Sequence, residues 1–475
     1  MKNFPHDHQA VKPSRFPLLT SKFKSAGKFI RDVLTLDVED FSYLFVPKNL
    51  RSTLSSQPNI RKRGLFLRIG TFLWHTVQSL FLLLSYQPLP KRRILFVNAS
   101  INQRLALAPV VDQMDEGHWV NILQQKPLHI PLFLAYIIAL PFFPLIAVNF
   151  LRSKGDQKEA FYYVGDYYWF AYGYYTILRL LLRSASPKAV IVSNDHIMWL
   201  RAFVRAAQDE NIPTIYLQHA SVTEQFPPLS FDYAFLEGFD SLEKYAAIGS
   251  SQTEVFLTGM PKFDAHFKAL KENNQLHTLG ICTNLLDSYQ EVKSLCDYLK
   301  KSFPDLDVVI RPHPRDNRYQ SWKDLAKTHS WYFSNGKEES SFDFLQRVDA
   351  NIAGDSNIHL EAVLLNVFPI YYAFGDNKKD WYGFHRNGLV DYFETPEAVN
   401  AKIAELLKHI PPVRSRSQRY NATIGTKYDG HSTDLTCMLI RQIAQDSRID
   451  LSGWELIREV EELQAYSPKK SSNLL

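Results

Sequence analysis

The sequence predicts an α/β protein with two successive Rossmann-like domains, each built on a parallel sheet. From residue 91 onward, short apolar runs alternate with amphipathic stretches of helical length. Buried parallel strands joined by crossover helices produce this pattern. The alternation pauses at the polar stretch 271–277 and then restarts, which indicates a second domain. We therefore expect two sheets that face a central cleft, with a basic N-terminal extension and C-terminal helices.

Composition supports a folded protein and excludes several classes. The 475 residues are 45% hydrophobic and 22% charged, which is typical of globular chains and not of disordered or fibrous ones. The three cysteines include no C-x-x-C pair, so we predict neither a disulfide framework nor a thiolate zinc site. A reducing compartment fits this cysteine usage. We predict no cofactor.

Residues 1–90 form a predicted basic, partly apolar extension. Residues 1–95 hold 16 Lys/Arg against 5 Asp/Glu, whereas the rest of the chain is net acidic. The first 20 residues lack the apolar core of a secretory signal. Such a basic segment attracts anionic lipid or nucleic acid, or is simply a solvated arm. Because no nucleic-acid-binding module is recognisable, we predict no nucleic-acid partner.

Two long apolar stretches, Gly64–Tyr86 and Ile130–Leu151, precede or interrupt the first predicted domain. Arg68 breaks the first, and prolines such as Pro141 break the second. Three interpretations stay open: a transmembrane helix, an element at the membrane surface, or buried core segments. Because proline kinks a helix, the pattern favours the core interpretation.

The first Rossmann-like domain is predicted at residues 91–270, with an apolar insert near 127–183. The insert ends in the aromatic stretch Phe161–Tyr175, which we expect to pack in a core; a ring-lined sugar groove is the alternative. Its predicted strands are Arg93–Asn98, Ala189–Ser193, Thr214–Gln218, Tyr233–Leu236 and Glu254–Thr258, and its predicted helices are Ile197–Asp209 and Ser241–Ile248.

The second domain is predicted at residues 271–430. Its predicted strands are Leu279–Thr283, Asp307–Ile310, Ala350–Ala353 and Phe368–Tyr372, and its predicted helices are Ser288–Lys301, Ser356–Leu365 and Pro396–Leu407. Residues 431–475 are predicted to form C-terminal helices, at Asp434–Gln445 and Gly453–Tyr466.

Polar residues follow the predicted strands, where open parallel sheets bind ligands. The turn Gly354–Asn357 opens a predicted helix, so Ser356 and Asn357 are candidates to bind an anion at free backbone N–H groups. An ordinary helix N-cap is the alternative. In the segment R-P-H-P, Arg311 and His313 would add donors, or the prolines would make a rigid turn without a ligand.

Three further residues are candidates for acid–base or hydrogen-bonding work. Glu361 would accept hydrogen bonds from a ribose, or would be a solvated helix residue. His219 ends a strand of the first domain and suits a general base, with a structural histidine as the alternative. Asp195 is the second candidate base. We predict no metal site, because Asp305-Leu-Asp307 lies at the entry of a strand.

Four segments together resemble a known enzyme group. They are Y-L-Q-H-A-S at 216–221, G-M-P-K-F-D at 259–264, R-P-H-P at 311–314 and G-D-S-N-I-H-L-E-A at 354–362. Between about residues 185 and 395 the chain resembles GT-B glycosyltransferases. It is most similar to the bacterial surface-polysaccharide group that includes CDP-glycerol glycerophosphotransferases, capsule Kdo transferases and polysialyltransferases.

The resemblance implies roles for the candidate residues. It makes His219 the base, places Arg311, His313 and Ser356 at the phosphates of the nucleotide, and gives Glu361 the ribose. Two residues depart from the pattern of those families. Ala220 replaces the usual glycine after the histidine, and Asn357 replaces the second serine of a pair.

The sequence therefore predicts a metal-independent transferase. It would move a glycosyl or glycerophosphoryl group from a nucleotide-activated donor to a saccharide or lipid-linked acceptor, at the cytoplasmic face of the cell membrane. A UDP-N-acetylglucosamine 2-epimerase is the enzyme alternative, although Gly-Gly would be expected where the chain has Asn357-Ile358. The other alternative is a non-catalytic scaffold of the same fold.

Overall fold

The computed structural model describes residues 27–42, 48, 51, 61–122, 126–194, 196–223, 225–270, 274–375 and 380–470. The chain divides into two compact units. The first comprises Met1–Leu89, Gln124–Ala185 and His196–Glu210, and the second comprises Pro90–Leu123, Ser186–Asp195 and Asn211–Leu475.

The helices and strands are numbered here in chain order. The α-helices are α1 Val38–Phe41, α2 Leu65–Leu82, α3 Ile101–Asp112, α4 Leu132–Ala139, α5 Phe143–Arg152, α6 Gly155–Ala185, α7 Met198–Asp209, α8 Phe239–Ile248, α9 Tyr289–Ser302, α10 Tyr319–Thr328, α11 Ser341–Leu345, α12 Ile358–Leu364, α13 Pro396–Leu406 and α14 Ser432–Ala444. The strands are β1 Ile94–Asn98, β2 Gly117–Asn121, β3 Ala189–Val192, β4 Thr214–Leu217, β5 Tyr233–Leu236, β6 Glu254–Leu257, β7 Thr278–Thr283, β8 Asp307–Pro312, β9 Tyr332–Phe333, β10 Ala350–Ala353, β11 Phe368–Tyr372, β12 Asp391–Phe393, β13 Trp454–Ile457 and β14 Ala465–Pro468.

The second unit contains two sheets. The N-sheet has the order β13-β14-β6-β5-β4-β3-β1-β2 and is parallel except for the antiparallel pair β13–β14. The C-sheet has the order β12-β11-β10-β7-β8-β9 and is parallel throughout. Every predicted strand is present, so the predicted α/β fold of the GT-B class, with two Rossmann-like sheets, is confirmed.

The end of the chain differs from the prediction. The helix predicted at Gly453–Tyr466 is wrong, because β13 and β14 form a hairpin that extends the edge of the N-sheet. Trp454 and Tyr466 pack on Phe256 of β6, with ring centroids 5.0 and 5.2 Å apart respectively. The open edge of β6 supplies backbone partners that local sequence does not reveal. The other predicted helix is present as α14, which packs in the core of the N-sheet.

The first unit is a helical bundle centred on α6. The aromatic stretch inside α6 is buried, with Tyr168, Tyr172 and Tyr174 at most 1% exposed, so the packing prediction is confirmed. Both α2 and α4 pack against α6 and against each other. Trp169 of α6 stacks on Phe72 of α2 at 3.7 Å between ring centroids.

The apolar stretches are not core segments, so the favoured interpretation of them is wrong. The segments Leu65–Ser85 and Leu132–Arg152 are long and apolar enough to cross a membrane by length and composition. Only 17% and 22% of their most apolar windows, respectively, are buried inside the protein. The outward side of α2 carries large apolar residues, for example Phe66, which is 90% exposed.

Candidate functional site

A cavity of about 840 Å³ lies at the carboxyl ends of the C-sheet strands. The loops after β7, β8 and β10 form most of its wall, and Leu105 of α3 lines it from the N-sheet half of the same unit. All five predicted donor-binding residues line this cavity: Arg311, His313, Ser356, Asn357 and Glu361. The structure therefore brings these candidates together.

The strand order of the C-sheet explains this convergence. The strands β10, β7 and β8 are adjacent and parallel, and Ala353, Cys282 and Arg311 lie in register. Because parallel strands end at the same edge of a sheet, their following loops meet around one space. Residues separated by more than 70 positions in the sequence thereby line the same wall.

His313 is held as a neutral hydrogen-bond donor. Its backbone N–H donates to the carbonyl of Thr283 at 2.9 Å, and its Nδ1 accepts from the backbone N–H of Arg315 at 3.1 Å. Partial burial and the nearby Arg315 guanidinium lower the pKa of His313. With Nδ1 accepting, the neutral ring carries its proton on Nε2. His313 can therefore donate one hydrogen bond from Nε2 to an anion.

Arg311 has its donors turned toward the cavity wall. Its Nη1 donates to Ser334 Oγ at 2.6 Å and its Nη2 donates to the Glu339 carbonyl at 2.8 Å. The guanidinium also lies over the Phe344 ring, 5.3 Å from its centroid. Arg311 is 6% exposed. These contacts hold the 334–339 loop in place, and a direct phosphate contact by Arg311 stays a prediction.

Asn357 does not cap its helix in the usual way. The helix α12 begins at Ile358, later than predicted, and Asn357 makes no side-chain capping bond to it. Its Oδ1 instead accepts a hydrogen bond from Ser221 Oγ at 3.2 Å, which joins the loop after β4 to the cavity wall. Ser356 Oγ accepts from the Ile358 N–H at 3.5 Å.

Glu361 lies in the first turn of α12 and lines the cavity, so it is not a fully solvated helix residue. Burial raises the pKa of its carboxyl, although a hydrogen bond with Ser341 opposes this shift. A half-buried carboxylate with spare acceptor sites can bind paired hydroxyl groups.

His219 follows β4 but does not line the cavity. Its carbonyl accepts a hydrogen bond from Lys262 Nζ at 2.8 Å, and that ammonium lies 3.3 Å from Glu237 Oε1. Burial raises the pKa of Glu237 despite the lysine. Because His219 is two residues before Ser221, its loop reaches the cavity wall. The other predicted base, Asp195, lies outside the described residues.

A smaller cavity of about 170 Å³ adjoins the first and shares Asn284, Leu286, Asp355 and Tyr382 with it. Burial raises the pKa of Asp355 to about 6 and that of Asp287, which also lines this cavity, to about 7. The sequence pointed to Asp355 only as part of the turn Gly354–Asn357, and it did not point to Asn284 or Asp287. Asn284 directly follows β7, so a search of residues after strands could have found it. Nothing in the sequence around Asp287 indicates that its side chain is buried.

Within the described ranges, no group of three His, Cys, Asp or Glu residues is placed to hold a metal ion. Asp307 begins β8 and is exposed, as is Asp305. The cavity lies at the other end of that strand. The D-x-D sequence is thus remote from the candidate site.

Comparisons with known proteins return similar solved structures only. No protein-family model matches the chain, and no curated protein matches it. A UDP-N-acetylglucosamine 2-epimerase from Neisseria meningitidis, bound to UDP-GlcNAc, is 14% identical with a TM-score of 0.47, covering 73% of this chain and 99% of that one. A putative epimerase of the same kind from Listeria monocytogenes is 12% identical with a TM-score of 0.48, covering 75% and 98%.

MurG from Acinetobacter baumannii is 11% identical with a TM-score of 0.40, covering 74% of this chain and all of that one. At these identities and TM-scores the matches assign no activity. The fold assignment rests on the order and direction of the strands in the two sheets.

Proposed function

We propose that the protein transfers a glycosyl or glycerophosphoryl group from a nucleotide-activated donor to an acceptor hydroxyl, and that the larger cavity binds the donor. One observation carries this proposal. Donors and acceptors from three adjacent strand ends converge on a cavity of about 840 Å³, which lies in the usual size range of small-molecule sites.

We assign each polar group a role in this transfer. His313 Nε2 and Ser356 would donate to the nucleotide phosphates, and Glu361 would accept from the ribose hydroxyls. In the transfer, the acceptor oxygen forms a bond to the transferred group as the bond to the nucleotide phosphate breaks. His219 would take the acceptor's proton, and the hydrogen-bond donors would stabilise the charge on the departing nucleotide.

The acceptor proposed is a saccharide or a lipid-linked saccharide at the cytoplasmic face of the cell membrane, as in surface-polysaccharide synthesis. The net positive charge of residues 1–95 supports placement near anionic headgroups. The exposed apolar side of α2 supports it independently.

Nucleotide binding provides the first test. The thermal stability of the full chain is measured with CMP, CDP, UDP and GDP at millimolar concentration. A ligand at 100 times its Kd stabilises the native state by about 2.7 kcal/mol, so the correct nucleotide raises the melting temperature and Glu361→Ala reduces that rise. If no nucleotide raises it, the donor site is refuted.

Turnover of the donor provides the second test. His219→Ala is expected to lower transfer about 10²- to 10⁴-fold while leaving the nucleotide-induced stabilisation intact. A matched control is His409→Ala, on an exposed residue after α13. Epimerisation of UDP-N-acetylglucosamine without an acceptor would instead establish the epimerase alternative. Nucleotide binding with no turnover of any donor would support the scaffold.

A further inference from the structure

Seven large apolar side chains project outward from α2. They are Phe66, Leu67, Leu73, Trp74, Val77, Leu80 and Phe81, and each is between 46% and 90% exposed. At about 100° per residue they occupy an arc of about 140° on one side of the helix. They therefore form a continuous stripe.

The polarity of α2 is inverted relative to an ordinary surface helix. Its inner side buries Arg68, which forms an ion pair with Asp166 of α6 at 3.0 Å, and also buries Ser79. A surface helix of a water-soluble domain normally turns its apolar side inward and its polar side outward. The inner contacts of α2 thus combine these polar groups with buried Phe72, while most of its large apolar residues face outward.

A second outward stripe lies on α4 and α5. Its exposed residues recur at helical spacing: Leu134, Ile137, Pro141, Pro144, Val148 and Leu151. The inner side of α4 approaches α6 so closely that a Cβ on Gly173 would lie 1.8 Å from the Ala135 carbonyl oxygen. Since α2 and α4 contact each other and both pack on α6, their stripes face away from α6. We call the two stripes together the outer apolar face.

Charge at the margins of this face indicates what covers it. Neither Leu65–Leu82 nor Leu132–Arg152 contains an acidic residue. The exposed residues Arg61, Lys62 and Arg63 lie just before α2, with Lys62 also paired to Glu159 at 3.2 Å, and exposed Arg152 and Lys154 lie at the end of the second stripe. A large apolar surface with basic residues at its ends matches the boundary between the acyl chains and the anionic headgroups of a bilayer.

We propose that the outer apolar face docks the protein on anionic lipid bilayers, with α2 and α4–α5 lying in the membrane interface and not crossing it. The interfacial placement rests on one-sided exposure: the outward side of α2 is apolar, while its inner side carries the buried Arg68–Asp166 pair and packs on α6. This inference rests on the proposed function in that it identifies the surface by which the enzyme would contact the membrane. The docking itself does not depend on the transfer activity.

The test is flotation of the full chain with vesicles, without donor or acceptor. One set of vesicles contains phosphatidylglycerol and phosphatidylcholine, and the other contains phosphatidylcholine alone. The wild-type chain is expected to float with the first set and much less with the second. Trp74→Glu with Phe81→Glu is expected to weaken binding about tenfold or more, because each change places a charge in the apolar layer.

A matched control introduces the same charges elsewhere. Leu451→Glu with Leu456→Glu changes two exposed leucines near the C-terminal hairpin and is expected to leave flotation unchanged. Circular dichroism and a thermal melt establish that both pairs of variants fold. Arg61→Glu with Lys62→Glu is expected to reduce the preference for phosphatidylglycerol vesicles.

Three outcomes would overturn the proposal. One is equal flotation of the wild-type chain and the Trp74/Phe81 variant. Another is resistance of the membrane-bound chain to extraction with alkaline carbonate, which would show that it spans the bilayer. The third is a dimer in solution that dissociates in the Trp74/Phe81 variant while the wild-type chain binds no vesicles. Because vesicle binding requires no nucleotide, its failure is distinguishable from failure of the transfer proposal.

Discussion

The buried carboxyl of Asp287 offers a quantitative test of the site's electrostatics. Asp287 is 6% exposed, and its Oδ2 accepts the Asn284 N–H at 2.7 Å. Burial raises its pKa from 3.8 to about 7. The stability that this group contributes is therefore complete below about pH 4 and is lost as the pH rises through 7. A shift of about three units corresponds to at most about 4 kcal/mol.

Asp287→Asn removes the ionisable group and keeps an oxygen that can accept the Asn284 N–H. We expect the variant to match the wild type near pH 4 and to be more stable above pH 7, by up to about 4 kcal/mol. Since 1 kcal/mol shifts the melting temperature of a domain of 150–250 residues by about 2–4 °C, scanning calorimetry from pH 4 to 8 can resolve this effect.

The control is Asp324→Asn, which makes the same chemical change at an exposed residue of α10 outside the cavity. A difference between Asp287→Asn and the wild type that does not grow with pH would refute the reasoning. So would a variant that is less stable than the wild type at pH 8.

Three further changes test the site and the helical unit. Lys262→Ala removes the ammonium that contacts the His219 carbonyl and Glu237. Steady-state kinetics should then show a lower kcat with only a small change in donor KM. Lys262→Arg should partly restore kcat. His313→Ala should raise the donor KM about tenfold, because a hydrogen bond to a charged group contributes about 1.5–3 kcal/mol, and an unchanged KM would contradict its role. Gly173→Val should destabilise the helical unit by about 3 kcal/mol or more in urea unfolding, because the valine Cβ would overlap the α4 backbone. The control is Gly453→Val, at a glycine with open space around it.

Local periodicity was sufficient to predict nine of the fourteen strands in the part of the chain that the structure describes. Every apolar run that was predicted to be a strand forms a strand. The polar residues predicted at the ends of the C-sheet strands line a single cavity. The hairpin at the end of the chain was missed because its partner strand is distant in sequence. The strand β14 pairs with β6 across about 210 residues, and Trp454 and Tyr466 become core residues only through that pairing.

The helical unit shows a different limit of sequence reasoning. The pattern of α2 establishes that one side of the helix is apolar, but it does not establish which side faces inward. That choice follows from Arg68, whose partner Asp166 is 98 residues away. Because an unpaired buried charge is costly, this pairing, together with the stack of Phe72 on Trp169, holds that side of the helix against α6. The same contact that buries Arg68 directs Phe66 and Trp74 outward.

Asn357, at the position where the resemblance would place a second serine, is hydrogen-bonded to another loop. A serine hydroxyl at this position would be shorter than the amide, whose Oδ1 meets Ser221 Oγ at 3.2 Å. Ser221 lies two residues after His219. The carbonyl of His219 accepts a hydrogen bond from Lys262 Nζ. The residue that differs from the pattern is therefore the one that ties the loop of the proposed base to the proposed donor cavity. If the larger cavity binds a nucleotide as proposed, His313 and Ser356 are the residues that would contact its phosphates, because the Asn357 side chain is engaged by Ser221.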